Sequence, residues 1–96
     1  MQNMTKRELI AEVEEIYKLI HNVKVNIWDI QKALSGTQNK KYLPYVSKYN
    51  MLTIFTFKND KAINRMSKIK LKNYIIEITE NLQIANNLMK EGLEML

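Results

Sequence analysis

The sequence contains no cysteine, one proline and two glycines. Without cysteine, neither a disulfide framework nor a thiolate metal site can form, so packing alone must hold the fold. This absence is typical of proteins from a reducing compartment, and we expect a cytoplasmic location. Because glycine and proline are the strongest breakers of regular structure, their scarcity predicts a mostly helical chain.

Long apolar runs are missing as well. The longest stretches of consecutive apolar residues are far shorter than the roughly 20 residues that span a bilayer. The segment from Met1 to Glu8 has no apolar core of signal-peptide length and already contains an acidic residue. With 46% hydrophobic and 26% charged residues, the composition is that of an ordinary soluble domain. We therefore predict one soluble domain over residues 1–96, with no membrane span.

A periodic row of aliphatic residues predicts a long first helix over about residues 5–35. Thr5 and Glu8 form a capping box, which marks the helix start. A turn near residues 21–22 could split the helix, and Gly36 is expected to end it in the left-handed conformation. The row recurs every three or four positions, the spacing of a coiled-coil-like seam. It comprises Leu9, Val13, Ile16, Ile20, Val23, Ile27, Ile30 and Leu34.

A second row predicts a long helix over about residues 68–95. Ile63 and Met66 lie off this row, so a separate short helix is predicted over about residues 60–67, with Asp60 as its cap. The row comprises Leu71, Ile75, Ile78, Leu82, Ala85 and Met89, with Leu96 in register beyond Gly92.

The middle of the chain is the most ambiguous part. Helical spacing predicts a helix over about residues 44–57, with Pro44 in its first turn. Residues 51–57 are also rich in β-branched and aromatic side chains, which leaves a strand as the alternative. No second strand-like run exists to pair with such a strand, so we prefer the helix. Residues 37–41 form the predicted loop before it. The spaced residues are Tyr45, Tyr49, Leu52 and Phe55.

These elements predict an all-α fold, an antiparallel three- or four-helix bundle with long amphipathic N- and C-terminal helices. Short connections favour it, because they place sequential helices side by side. Each aliphatic row is narrow and long, so the same pattern could also hold a homodimer.

Residues for catalysis are scarce. The only histidine, His21, has no carboxylate at helical spacing, and neither Glu-x-x-His nor His-Glu-x-x-His occurs. Glu77 and Glu80 could share a helix face, but without histidine neighbours they are better interpreted as solvated charges. No glycine-rich phosphate loop precedes a helix. We therefore expect no enzyme activity, no cofactor and no metal.

Positive charge concentrates in the middle of the chain. Residues 35–75 carry nine basic side chains and one acidic one, whereas the flanking segments are neutral or acidic. Lysines beside tyrosines are typical of a nucleic-acid surface, although only two of the 15 basic residues are arginine, and an ordinary solvated face has the same pattern. The candidate binding residues here are Tyr45, Tyr49, Lys58, Lys61, Arg65, Lys68 and Lys72.

Trp28 lies off the seam of the first helix, on a flank that it shares with Ile10 and Tyr17. We expect the middle segment to pack there. The alternative is a partner groove, since exposed aromatic strips tend to be contact sites. Trp28 and Tyr17 therefore complete the set of candidate binding residues.

Two short stretches resemble parts of the class IIa bacteriocin immunity proteins. They are Glu15-Ile16-Tyr17-Lys18-Leu19-Ile20 and Met51-Leu52-Thr53-Ile54-Phe55-Thr56. The resemblance implies a small, basic, cytosolic helical bundle that protects its producer by acting at the bacteriocin's membrane receptor. It covers a small part of the chain, and the spacing between the two stretches is shorter than in the family.

Three functional hypotheses follow. The leading one is a non-enzymatic protein-binding or regulatory module. The frequent isoleucine, asparagine and lysine are typical of low-GC bacteria and their mobile elements. The alternatives are nucleic-acid binding through the basic cluster at residues 58–72, and immunity to a bacteriocin.

Overall fold

The computed structural model describes residues 3–36, 42–50 and 57–96, which form four α-helices and contain no strand. The helices are α1 (Lys6–Ser35), α2 (Tyr42–Asn50), α3 (Asp60–Asn64) and α4 (Lys68–Met95). The predicted all-α class is confirmed. The predicted loop at 37–41, and all but the last residue of the helix-or-strand segment at 51–57, lie outside the described residues.

Helix α1 is continuous through residues 21–22, without the turn that the sequence left open. Thr5 accepts a hydrogen bond from the Glu8 amide, and the Glu8 carboxylate accepts one from the Thr5 amide, so the capping box forms as predicted. Gly36 caps the end of α1, but its φ of −83° is right-handed. The prediction of a left-handed glycine there was therefore wrong.

The aliphatic row of α1 is the centre of the fold. All eight of its residues are buried, and they pack along α4. The predicted row of α4 agrees less well with the residues that are buried in that helix, because Leu82 and Met89 are only half-buried and Leu96 is exposed. The buried positions in their place are Tyr74, Leu88 and Gly92.

The two long helices run parallel to each other. Near its start, α1 packs with the start of α4, where Leu9 and Val13 share a core with Leu71. Near its end, Leu34 shares a second core with Leu88. Helix α2 and residues 57–64 return along this pair in the opposite direction. The result is an up-down-up bundle, in which α1 and α4 are parallel and both α2 and α3 run antiparallel to them.

The returning segment is held by polar contacts as well as by packing. Helix α2 begins two residues earlier than predicted. It contacts α4 through an ion pair of 2.9 Å between Lys48 and Glu91. Helix α3 is shorter than predicted and is capped by Asn59 instead of Asp60. Asn59 takes this role because its side chain accepts the Ala62 amide.

The bundle is elongated. Its Cα radius of gyration is 15.9 Å and its principal extents are 50 × 20 × 15 Å. A compact domain of this length would have a radius of gyration of about 12 to 13 Å. Two ends of the molecule are therefore well separated: the starting end, where α1 and α4 begin, and the finishing end, where they stop.

Candidate binding surfaces

Trp28 and Tyr49, two of the predicted binding residues, lie together where α2 crosses α1. The Trp28 side chain is 46% exposed, and its indole Nε1 donates a hydrogen bond of 2.7 Å to the Tyr49 hydroxyl. The Lys24 ammonium lies 4.9 Å from the centre of the Trp28 ring, within range of a cation–π contact. We call Trp28, Tyr49 and Lys24 the tryptophan surface.

Tyr45 does not belong to this surface, because it is a core residue. It is 2% exposed, and its hydroxyl donates to the backbone carbonyl of Leu88 at 2.9 Å. Burial, followed by the charge of Glu91, raises the pKa of Tyr45 to about 12. Its assignment as a contact residue fails for a physical reason: the ring fills the space above Gly92 between α1 and α4.

Tyr17 is also separate from Trp28, eleven residues earlier on α1 and so about 16 Å away along the helix axis. Its ring stacks on Phe57 with centroids 4.4 Å apart. Its hydroxyl bonds to the Tyr74 hydroxyl and to the Lys58 carbonyl, the latter at 3.0 Å. Burial and the bond to Tyr74 raise its pKa above the ordinary value. Tyr17 thus anchors the returning segment to α1 and α4.

The predicted basic residues gather toward the starting end of the bundle, which we call the basic end. The Lys58 ammonium lies 5.7 Å from the centre of the Tyr74 ring, and Lys72 is half-buried on α4. The exposed members are Lys58, Lys61, Arg65 and Lys68. The sequence prediction that these side chains share one region is consistent with this placement.

Two further cations belong to the basic end although they lie far away in sequence. Lys6 donates a 2.7 Å hydrogen bond to the Asn64 carbonyl, and Arg7 lines the same cleft. The pKa of Glu8 is lowered, mainly by hydrogen bonds from Thr5 and also by the charge of Lys68. Sequence reasoning missed Lys6 and Arg7, because only the parallel arrangement of α1 and α4 places their first turns side by side.

The charges of α4 are arranged against its helix dipole. Its first turn contains Lys68 and Lys70 and no acidic residue, whereas its last turn contains Glu94 and no basic residue. Cations at a helix N-terminus and anions at its C-terminus are each unfavourable by about 0.3–1 kcal/mol. The dipoles of α1 and α4 also point the same way, which strengthens the positive potential at the basic end.

No group of three or more potential metal ligands occurs within 3–36, 42–50 and 57–96. Among the described helices, none has the length and apolar character needed to cross a membrane. Comparison with family models, with curated proteins and with solved structures finds no match to this chain. The resemblance to bacteriocin immunity proteins therefore stays a prediction based on two short stretches.

Proposed function

We propose that this protein is a non-enzymatic protein-binding module that contacts its partner through the tryptophan surface. The observation that carries the proposal is the half-exposed Trp28 ring, held in place by Tyr49. Tryptophan and tyrosine are enriched among the residues that dominate binding energy at protein interfaces.

The geometry supports a preorganised contact. The polar atom of Trp28 is already paired with Tyr49, so the exposed part of the side chain is its apolar ring. The hydrogen bond and the neighbouring Lys24 restrict the ring, so that a partner binding it would immobilise little additional side-chain motion. This combination favours an apolar pocket on a partner protein.

The two alternative functions gain less support. Base stacking by a nucleic-acid surface needs exposed aromatic rings beside the lysines. Near the basic end, the Tyr74 ring is buried, and Tyr17 is half-buried under Phe57. Nucleic-acid binding and bacteriocin immunity both remain predictions from the sequence.

The test is affinity capture from the native host with three tagged baits: the wild type, Trp28→Ala and Leu43→Ala. Leu43 is the matched control, because it is 71% exposed and lies outside the tryptophan surface. We expect at least one protein to be captured by the wild type and by Leu43→Ala, but about tenfold less by Trp28→Ala. Titration of that purified protein should then show a loss of about 2 kcal/mol or more in binding free energy for Trp28→Ala.

Thermal melting of each bait establishes that it is folded, and Lys24→Glu offers a second variant that leaves the indole in place. If every captured protein is retained equally by the three folded baits, the tryptophan surface is not the contact site and the proposal is wrong.

A further inference from the structure

An exposed aliphatic patch lies among the lysines of the basic end. Ile69 is 73% exposed, the highest value among the large apolar side chains in the described part of the chain, and Ile76 is 51% exposed. Both belong to the first turns of α4. Together with Lys68, Lys70 and Lys72 they form what we call the isoleucine–lysine patch.

The helical spacing makes this patch continuous. Ile69, Lys72 and Ile76 are separated by three and four residues and therefore share one face of α4. The opposite face of the same turns is occupied by Leu71 and Ile78, which are buried against α1. The two isoleucines thus point away from the core and contribute nothing to it. Glu77, which follows Ile76 directly, and Glu80, four residues after Ile76 on the same face, form the acidic border of the patch.

The charge of the patch adds to its apolar character. Lys68 and Lys70 sit in the first turn of α4, where acidic residues would stabilise the helix. Lysine at these positions therefore opposes the helix dipole, although the charge of Lys68 also attracts Glu8. The fold gains nothing from isoleucine exposed to water. Both features suit one kind of environment, a negatively charged surface with an apolar layer beneath it.

We propose that the isoleucine–lysine patch docks on an anionic lipid surface, with Ile69 and Ile76 entering the boundary between headgroups and acyl chains. Lysine suits this role because its long apolar stem lies along the acyl boundary while its ammonium reaches the lipid phosphates. Each basic side chain near an anionic leaflet adds a similar amount to the binding free energy. This docking uses a surface separate from the tryptophan surface, so it would hold the module at a membrane while Trp28 stays accessible.

Lipid fits the patch better than nucleic acid does. A phosphate backbone is bound through cations and hydrogen-bond donors and has no use for exposed aliphatic side chains, whereas single-stranded bases need aromatic platforms. The exposed apolar side chains of the patch are aliphatic. Only two of the 15 basic residues in the chain are arginines, the residue type that provides bidentate phosphate contacts.

The experiment is vesicle flotation with two compositions: phosphatidylcholine alone, and phosphatidylcholine with about one third phosphatidylglycerol. We expect the wild type to float with the anionic vesicles and to remain in solution with the neutral ones. Lys68→Glu/Lys70→Glu should lower binding to anionic vesicles by roughly tenfold or more. The same variant removes the unfavourable charges at the start of α4 but also the attraction between Lys68 and Glu8, so its thermal melting is measured to show that it is folded before the loss is assigned to the patch.

Two matched controls separate the contributions. Lys18→Glu/Lys90→Glu makes the same change in net charge at exposed positions away from the patch, and it should float nearly as well as the wild type. Ile69→Asn should weaken binding to anionic vesicles by about fivefold, whereas Leu43→Asn, at an equally exposed leucine elsewhere, should not change it.

Three results would overturn the proposal. The first is an absence of wild-type flotation with anionic vesicles at low salt. The second is flotation that responds to the lysines but not to Ile69→Asn, which would reveal attraction without insertion. The third is tighter binding to a single-stranded oligonucleotide than to the vesicles, lost in Lys68→Glu/Lys70→Glu and unchanged in Ile69→Asn, which would assign the patch to nucleic acid.

Discussion

The two cores of the bundle use tyrosine in different ways to hold the returning segment. In the core near the finishing end, Tyr45 lies inside, with its ring against Gly92 and its hydroxyl on the Leu88 carbonyl. In the core near the starting end, Tyr17 and Tyr74 meet at the edge, and their hydroxyls bond to each other and to the backbone of Lys58. The first attachment depends on steric fit, and the second depends on hydrogen bonds at the boundary with water.

This difference predicts unequal tolerance to substitution. A close-packed contact has no room to relax, so an added methyl group lowers the free energy of unfolding by its full steric cost. A hydrogen bond near the surface can be replaced in part by a bond to water, so its loss lowers the free energy of unfolding only slightly. The finishing end should therefore be the more sensitive of the two to small changes at its tyrosine contact.

The largest effect is expected for Gly92→Ala. A β-carbon at this position would lie 2.7 Å from Ile30 Cγ2 and 2.8 Å from Tyr45 Cζ, closer than real contacts allow. Although alanine is intrinsically better than glycine in a helix, overpacking should prevail and lower the free energy of unfolding by about 1–3 kcal/mol. Urea denaturation followed by circular dichroism measures this change.

Gly36→Ala is the matched control, because among the described residues a β-carbon there would meet only the Ala33 carbonyl, at an ordinary 3.6 Å. Its φ of −83° suits alanine, so we expect the stability to stay the same or to rise by a few tenths of a kcal/mol. Equal destabilisation by the two substitutions would contradict the close approach of Tyr45 to Gly92.

An intermediate effect is expected at alkaline pH. The pKa of Tyr45 is raised to about 12 by burial, whereas an unfolded tyrosine titrates near pH 10. As the pH rises from about 10 to 12, the unfolded chain releases this proton before the folded chain does, so stability is lost over that interval. Below pH 10, Tyr45 contributes no pH dependence.

Denaturant melts at several pH values between 9 and 11.5 test this expectation. Tyr45→Phe should be less stable than the wild type near neutrality, and it should lose roughly 2 kcal/mol less on going to pH 11.5. Parallel slopes for the two proteins would show that Tyr45 titrates in the folded state as it does in the unfolded chain.

The sequence predicted the bounds of the long helices more closely than those of the short helices α2 and α3, for a physical reason. Helix α1 repeats its seam over eight positions, and burial of one stripe is the main force on such a helix, so periodicity alone identifies its core. Helix α2 is 9 residues long and α3 only 5, so their bounds depend on tertiary contacts that a local pattern does not contain.

The same limit explains the errors at the candidate sites. Tyr45 and Tyr49 are four residues apart on α2, yet one is buried and the other pairs with Trp28. Their roles follow from the direction in which α2 crosses the parallel pair. The same crossing direction brings the Tyr45 ring over Gly92. Because this contact is between distant parts of the chain, the local sequence around Gly92 did not predict it.

The smallest effect is expected for the tyrosine pair near the starting end. The Lys58 amide donates to the Tyr74 hydroxyl, which leaves Tyr74 to donate to Tyr17 and Tyr17 to donate to the Lys58 carbonyl. Because each bond orients the next, Tyr17→Phe and Tyr74→Phe should be coupled by about 0.5–1 kcal/mol in a double-mutant cycle.

The reference for this cycle is the pair Tyr17→Phe and Tyr45→Phe, whose hydroxyls belong to different cores. Their effects on the free energy of unfolding should add within about 0.3–0.5 kcal/mol. If the effects of Tyr17→Phe and Tyr74→Phe on the free energy of unfolding also add, the ring of three hydrogen bonds does not act as a unit. The attachment at the starting end would then rest on packing, as at the finishing end, and the distinction between the two cores would disappear.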